Sequence, residues 1–246
     1  MATLGVDIGG TGIKGAPVDT DEGKLLDERF RVETPQPATV EDVVRCIGEV
    51  ANHFNWTGEI GCGFPSAVKK GVILTAANID SGWIDVNAKT QIEALTQCHT
   101  HLINDADAAG LAEIHFGAGK DFAGVVFMVT IGTGLGTALF VNGTLMPNTE
   151  LGHLDIRGKD AEARASNRVR LEKEMSWRDW APRFEEYLHY IEKLFWPDLI
   201  IIGGGGSKSY SKFAPYVSTN APIVPAQMLN EAGIIGAAMA FLHPEI

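Results

Sequence analysis

A chain of 246 residues with 45% hydrophobic side chains has the size of one large domain or two modest ones and the composition of a packed globular protein, which excludes a disordered or collagen-like chain. Its formal charge of −11 argues against a general nucleic-acid surface, because a net negative field repels long polyanions. The longest apolar runs, near 124–131 and 233–242, fall far short of the roughly 20 residues that span a bilayer, and the first residues lack a signal-peptide pattern, so the expected setting is cytoplasmic with no membrane contact.

Three strands are expected at the start, over 3–8, 13–19 and 25–33, separated by a glycine turn and by Thr20-Asp21-Glu22-Gly23. An amphipathic helix follows over about 40–54, with Thr39 and Asp42 as its cap. Short strands near 59–64 and 71–74, a helix near 87–97, a strand near 101–103 and an Ala-rich helix from just after Asp105 to about 116 complete the first half. Cys46, Cys62 and Cys98 are odd in number and widely spaced, which points to buried thiols rather than a disulfide framework or a paired-cysteine zinc site.

After Gly124 the opening pattern returns as a strand over 125–131, a glycine turn, a strand over 135–141, an Asn142-Gly143 hairpin and a third strand from Thr144. At an offset of 122 residues Gly10-Thr11-Gly12 lies over Gly132-Thr133-Gly134, so the chain reads as an internal repeat. Helices are expected near 160–175 and over about 177–195, with Pro182 at a helix start or a kink. A buried strand over 198–202 runs into Gly203–Gly206, followed by a helix near 207–217 and a final Ala- and Gly-rich helix from about 230.

Chemistry is concentrated in a few segments. Asp7-Ile8-Gly9-Gly10-Thr11-Gly12-Ile13-Lys14 places a carboxylate at a strand end, then glycines whose missing Cβ lets backbone N–H groups approach an anion, then a hydroxyl and an ammonium. Gly132-Thr133-Gly134 offers the same combination, and two such turns could hold a chain of phosphates across a cleft, with Asp7 acting through Mg²⁺ because a bare carboxylate would repel the anions. A dinucleotide fold is disfavoured because each turn leads into a strand rather than a helix. Gly204 and Gly205, between a strand and a helix, are a third phosphate candidate, with close packing as the competing explanation. Asn104-Asp105 lies where a buried strand meets a helix; Asp105 is the candidate base for an acceptor hydroxyl, with helix N-capping as its competing role. Glu150 and His153 could hold sugar hydroxyls, whereas Asn78 and Trp83 could equally be a turn residue and a core anchor.

Together these segments resemble the ROK family of sugar kinases (repressor, open reading frame, kinase). The resemblance rests on DIGGTGIKG at 7–15, GFPSAV at 63–68, AANIDSGW at 76–83, NDADAAGLAE at 104–113, TIGTGLGTA at 130–138, ELGH at 150–153 and IIIGGGGS at 200–207. It implies a duplicated actin-like ATPase (ribonuclease H-like) α/β fold of two domains with a cleft between them. The expected division is 1–106 and 107–229, with a C-terminal helix over about 230–246 packed back on the first. It also implies Asp105 as the base acting on the 6-hydroxyl of glucose, and Asn78, Asn104, Glu150 and His153, with Ser66 nearby, as sugar contacts. It matches Asp7, Thr11, Lys14 and Thr133 to the phosphate and Mg²⁺ elements; Gly9, Gly10, Gly12, Gly132, Gly134, Gly204 and Gly205, with Lys208 just beyond the last run, are the other expected donor positions. No cysteine follows Cys98, so the family's frequent zinc motif is not expected; the compact stretch after His153 and the short length look like its polyphosphate-dependent glucokinase branch. ATP is the alternative donor, and a sugar-sensing regulator the non-enzymatic alternative, disfavoured because the first strand leaves no room for an N-terminal DNA-binding module. Arg157, Lys159, Arg164, Arg168, Arg170 and Lys173 are candidates to guide polyphosphate, with a solvated helix laced by i,i+4 ion pairs as the alternative. A homodimer is implied by the same resemblance.

Overall fold

The computed structural model describes residues 1–77 and 79–243. The chain forms two compact units, Met1–Ala112 together with the residues from Glu231 onward, and Glu113–Asn230. In the first unit β1 (Ala2–Gly9) and β2 (Gly12–Asp19) form an antiparallel hairpin, and β3 (Lys24–Leu25) and β4 (Phe30–Val32) both pair with β2. The single strand expected over 25–33 is therefore two. Pro17 explains the break: its carbonyl accepts from the Leu26 N–H, but it has no N–H to return, so the ladder cannot continue past it. Helix α1 (Val40–His53) follows, capped by Thr39, whose hydroxyl oxygen accepts from the Asp42 N–H.

β5 (Ile60–Phe64) lies parallel to β1, followed by a small hairpin of β6 (Val68–Lys69) and β7 (Val72–Ile73), then α2 (Ala88–Thr96). β8 (Thr100–Asn104) lies parallel to β5 and runs straight into α3 (Asp105–Phe116), giving the sheet order β3-β2-β1-β5-β8. Leu4, Val6, Ile47, Ile60, Phe64 and Trp83 are fully buried in this unit's core. Trp83 is a core anchor: its indole N–H donates to the Ala38 carbonyl and its ring packs edge-on against Phe64. All three cysteines are free and buried, and burial pushes the Cys62 thiol up to about 12, which leaves it protonated and inert.

The second unit repeats the scheme. β9 (Val125–Ile131) and β10 (Leu135–Val141) form a hairpin, β11 (Thr144–Met146) continues it through Asn142 and Gly143, both at positive φ as a type I′ turn requires. The helix expected over 160–175 is two pieces, α4 (Glu162–Ala165) and α5 (Asn167–Glu172). Ser166 between them is extended and caps α5 through Val169, while Trp180 takes the Ala165 carbonyl. Helix α6 (Trp177–Phe195) contains Pro182 in its second turn and buries Trp180, Phe184, Leu188 and Ile191 in the core of this unit.

β12 (Leu199–Gly204) lies parallel to β9; α7 (Gly205–Lys208) and α8 (Tyr210–Phe213) follow, and β13 (Ile223–Pro225) completes the sheet order β11-β10-β9-β12-β13. Both five-strand orders have the same pattern of pairing and direction, so the duplication seen in the letters is present in the topology. The helix expected over 207–217 is broken into two single turns and a 3-10 turn that contains Pro215.

The chain then returns to the first unit as α9 (Ala232–Ala238), which lies across β1 and β5. This contact needs glycines on the strands, and a second one, of α9 with α3, needs a glycine on the helix. A Cβ at Gly5 or Gly61 would run into the Ile234 or Ala237 carbonyl of α9, and one at Gly236 would run into the Ala108 carbonyl of α3. No helix among the described residues is long and apolar enough to cross a membrane.

Candidate functional site

The first glycine turn is short. Gly9 pairs with Gly12, leaving only Gly10 and Thr11 at the tip. Its carbonyls are tied from outside: the Thr34 hydroxyl donates to Gly9 (2.5 Å), the Gln36 amide to Gly10 (3.3 Å) and the Arg31 guanidinium to Thr11 (2.7 Å). Because a trans peptide holds its C=O and N–H on opposite sides, the Gly10 N–H faces away from Thr34 and the Thr11 N–H away from Gln36. A Cβ at Gly10 would meet nothing within 4 Å, so packing does not demand this glycine. Gly10→Ala is accordingly expected to leave the thermal midpoint within about 1 °C, so that any rise in KM for the expected phosphate donor would report the added methyl standing where the donor approaches the turn; a thermal-shift and kinetic comparison checks both.

Asp7 sits on β1 directly opposite Lys14 on β2, with 3.7 Å between carboxylate and ammonium. Burial pushes the Asp7 carboxyl above the usual carboxylate range, and Lys14 opposes that shift. Gly233 at the start of α9 lies against the carboxylate, where a Cβ would meet Asp7 Cγ at 2.9 Å.

The second turn differs from the first by one residue. Ile131 pairs with Leu135, so Gly132, Thr133 and Gly134 all lie in the loop, and the Gly132 N–H donates to the Gly134 carbonyl. It is thus not a copy of the first turn, although Gly132 also has open space where a Cβ would be and Thr133 is exposed. Arg168 donates its backbone N–H to the Gly132 carbonyl, and Glu162 accepts from the Leu135 N–H.

In the third glycine run, packing explains Gly203 and Gly206, which abut Met128 and Ile131. Gly204 adopts φ +62 and ψ −150, a conformation essentially restricted to glycine. Gly204, Gly205 and Lys208 are exposed. The helix that follows is a single turn rather than the expected longer one, so it contributes little dipole to hold an anion.

Asp105 is the first residue of α3, not its cap. The cap is Asn104, whose Oδ1 accepts from the Ala106 and Asp107 N–H groups at 2.9 and 3.0 Å, while its Nδ2 donates to the Ser66 carbonyl at 3.1 Å. The capping role that competed for Asp105 therefore belongs to its neighbour, and Asn104 acts chiefly as the fixed post that presents Asp105 at the strand–helix junction. Ser66 Oγ is buried with no hydrogen-bond partner among the described residues. Asn78 lies outside the described residues.

Glu150 adopts φ 39, which turns the chain into the 3-10 turn Leu151–His153. His153 is braced on both ring nitrogens: Nδ1 donates to Asp160 at 2.9 Å, and Nε2 faces Glu150 at 3.7 Å. The Asp160 hydrogen bond raises the His153 pKa against opposing desolvation, and burial pushes Glu150 up. Asp160 is returned to His153 by a tight turn in which Asp155 bridges Asp160, a fold-back that spacing alone does not disclose. With a folded value above 6.5, the stability contributed by protonated His153 is complete below about 6.5 and lost as pH rises through the folded value. Asp160→Asn should lower the His153 midpoint in an imidazole NMR titration; an unchanged midpoint would refute this bracing.

Three of the basic residues after His153 have defined partners. Arg157 and Arg164 both pair with Glu186 on α6, at 2.7 and 2.6 Å, and Arg170 covers the Trp177 ring. These are contacts between elements, not the i,i+4 pairs of one solvated helix. The neighbours of the candidate residues that the sequence did not mark are Arg31, Thr34 and Gln36, which hold the carbonyls of the first turn, and Asp160, which holds His153; strand pairing places Arg31 and a turn returns Asp160.

Residues 3–176 match the sequence pattern of the ROK family. Over 238 residues, covering 96% of this chain and 90% of the relative, the sequence is 48% identical to a polyphosphate glucokinase of Mycobacterium tuberculosis (strain CDC 1551 / Oshkosh). The fold superposes with a TM-score of 0.95 on an inorganic polyphosphate/ATP-glucomannokinase from Arthrobacter sp. strain KM, 44% identical, covering 98% of this chain and 99% of that one. A ROK family glucokinase from Streptomyces griseus, in complex with glucose and AMPPNP, is 26% identical with a TM-score of 0.82, covering 97% of this chain and 98% of that one.

Proposed function

The chain belongs to the ROK family, and on that premise we propose that it is a polyphosphate-dependent glucokinase, transferring a phosphoryl group from inorganic polyphosphate to the 6-hydroxyl of glucose. The observation that carries this reading is the 48% identity to a polyphosphate glucokinase across 96% of the chain. In this reading Asp105 accepts the proton of the attacking hydroxyl, held in place by the Asn104 cap. Glu150 and His153 hold sugar hydroxyls, with Asp160 fixing the imidazole, and Ser66, Asn78 and Asn104 complete the proposed sugar contacts. The donor phosphates are met by the backbone N–H groups of the Gly10-Thr11 turn, by Lys14, and by the second turn at Gly132, Thr133 and Gly134, with Gly204, Gly205 and Lys208 as further donor positions.

Phosphoryl transfer of this kind generally uses a divalent cation, and Mg²⁺ is the one proposed. Among the described residues no group of three His, Cys, Asp or Glu side chains is arranged to hold a metal. Asp7, a hard-oxygen carboxylate whose charge burial disfavours, is the residue that would act with the cation, most simply through the hydrated ion. When bound, the cation neutralises negative charge on the donor.

A second reading, use of ATP as well as polyphosphate, is favoured by the likeness to the polyphosphate/ATP-glucomannokinase. Enzyme, Mg²⁺ and glucose incubated separately with purified polyphosphate and purified ATP, with glucose 6-phosphate as the readout, decides between them; product from polyphosphate alone is expected, and product only from ATP would overturn the donor assignment. The same reading places the enzyme in the cytoplasm as a homodimer. In support of self-association, Leu194 is 55% and Trp196 78% exposed at the end of α6; light scattering giving a monomer mass would remove that part of it.

A further inference from the structure

We propose that Arg31 binds the phosphate chain of the donor, forming with Lys14 a two-cation row beside the first glycine turn. This rests on the phosphoryl-transfer reading above but names a residue that no motif in the sequence marks. The strand register supplies the first argument. Asp7 on β1 pairs with Lys14 on β2, and Lys14 pairs with Arg31 on β4, so the three side chains stand in one row on one face of the sheet.

Gly12, two residues before Lys14, belongs to that same face. A Cβ there would run into Arg31 Nε, with Cζ and Nη2 at 2.9 Å, so the guanidinium lies over Gly12 and reaches the tip of the turn, where Nη2 donates to the Thr11 carbonyl. The arginine occupies the space that a side chain at position 12 would take.

The chemistry favours a ligand role over a structural anchor. Holding a carbonyl needs one neutral donor, whereas Arg31 brings a full charge and five N–H donors to an exposed position. Lys14 shares its charge with Asp7 at 3.7 Å, but Arg31 forms no ion pair with an acidic side chain among the described residues. The row Asp7, Lys14, Arg31 thus carries one net positive charge, which comes from Arg31. A guanidinium fork matches phosphate oxygens in geometry as well as sign.

The test compares Arg31→Gln, which keeps a neutral donor for Thr11, with Arg31→Lys, which keeps the charge, using polyphosphate and ATP as donors at saturating glucose. Arg31→Gln should raise the donor KM about tenfold, the size of one charge-assisted hydrogen bond, with the glucose KM and thermal midpoint unchanged. Arg31→Lys should recover most of that loss. A donor KM within about twofold of wild type in Arg31→Gln, equal effects of the two substitutions, or donor and glucose KM rising together would overturn the proposal. If the wild-type enzyme turns over neither donor, the phosphoryl-transfer reading fails, and calorimetric titration with tripolyphosphate still decides Arg31: weaker binding to Arg31→Gln supports the role, equal binding removes it.

Discussion

An Asp105→Asn enzyme is expected to bind glucose normally and to lose about 10²–10⁴-fold in kcat, the range associated with a general base. Asn has the shape of Asp but cannot accept the proton at neutral pH. The start of α3 should survive the change, because its N–H groups at 106 and 107 are satisfied by Asn104 rather than by residue 105. That separation makes the experiment clean: a thermal midpoint near wild type with turnover lost isolates the proton-transfer role. Turnover near wild type would mean that another group takes the proton.

The second large effect is on stability. Gly61→Ala should destabilise the protein by about 1–3 kcal/mol or more, as for a methyl forced into a packed interior. The added Cβ would collide with the Ala237 carbonyl and come within 3.0 Å of the Ala238 Cα, both backbone atoms of α9. Neither can rotate away as a side-chain end could, so the helix itself must shift. Since Gly233 of α9 lies against Asp7, the shift should also reach the Asp7 carboxylate. Urea unfolding of Gly61→Ala beside Gly10→Ala, whose Cβ meets nothing within 4 Å, measures the difference. Equal midpoints for the two variants would show that α9 does not rest on β5 in this way.

Much of the fold is legible without coordinates because its signals are local. Alternation marks β1, β2, β9 and β10, Asn142-Gly143 marks its hairpin, and the apolar stripe of α6 buries as its spacing requires. Where the expectations differ from the structure, a specific backbone demand intervenes: the missing N–H of Pro17 splits one strand, and the Ser166 cap splits one helix. Among the candidate site residues, those within glycine runs or beside an element boundary are legible in the sequence, since their chemistry and their backbone position coincide.

The sequence by itself determined the duplicated α/β scheme, the glycine turns, and the residue types that phosphoryl transfer to a sugar needs, because each is written in contiguous letters. Only the tertiary structure decided how those letters divide their labour. It made Asn104 the cap and so released Asp105 from that role, folded Asp160 back onto His153, and laid Arg31 over Gly12 from a strand nineteen positions away in the chain. The physical reason is that a side chain's partners are set by strand register and turn closure, which bring together groups that sequence spacing keeps apart.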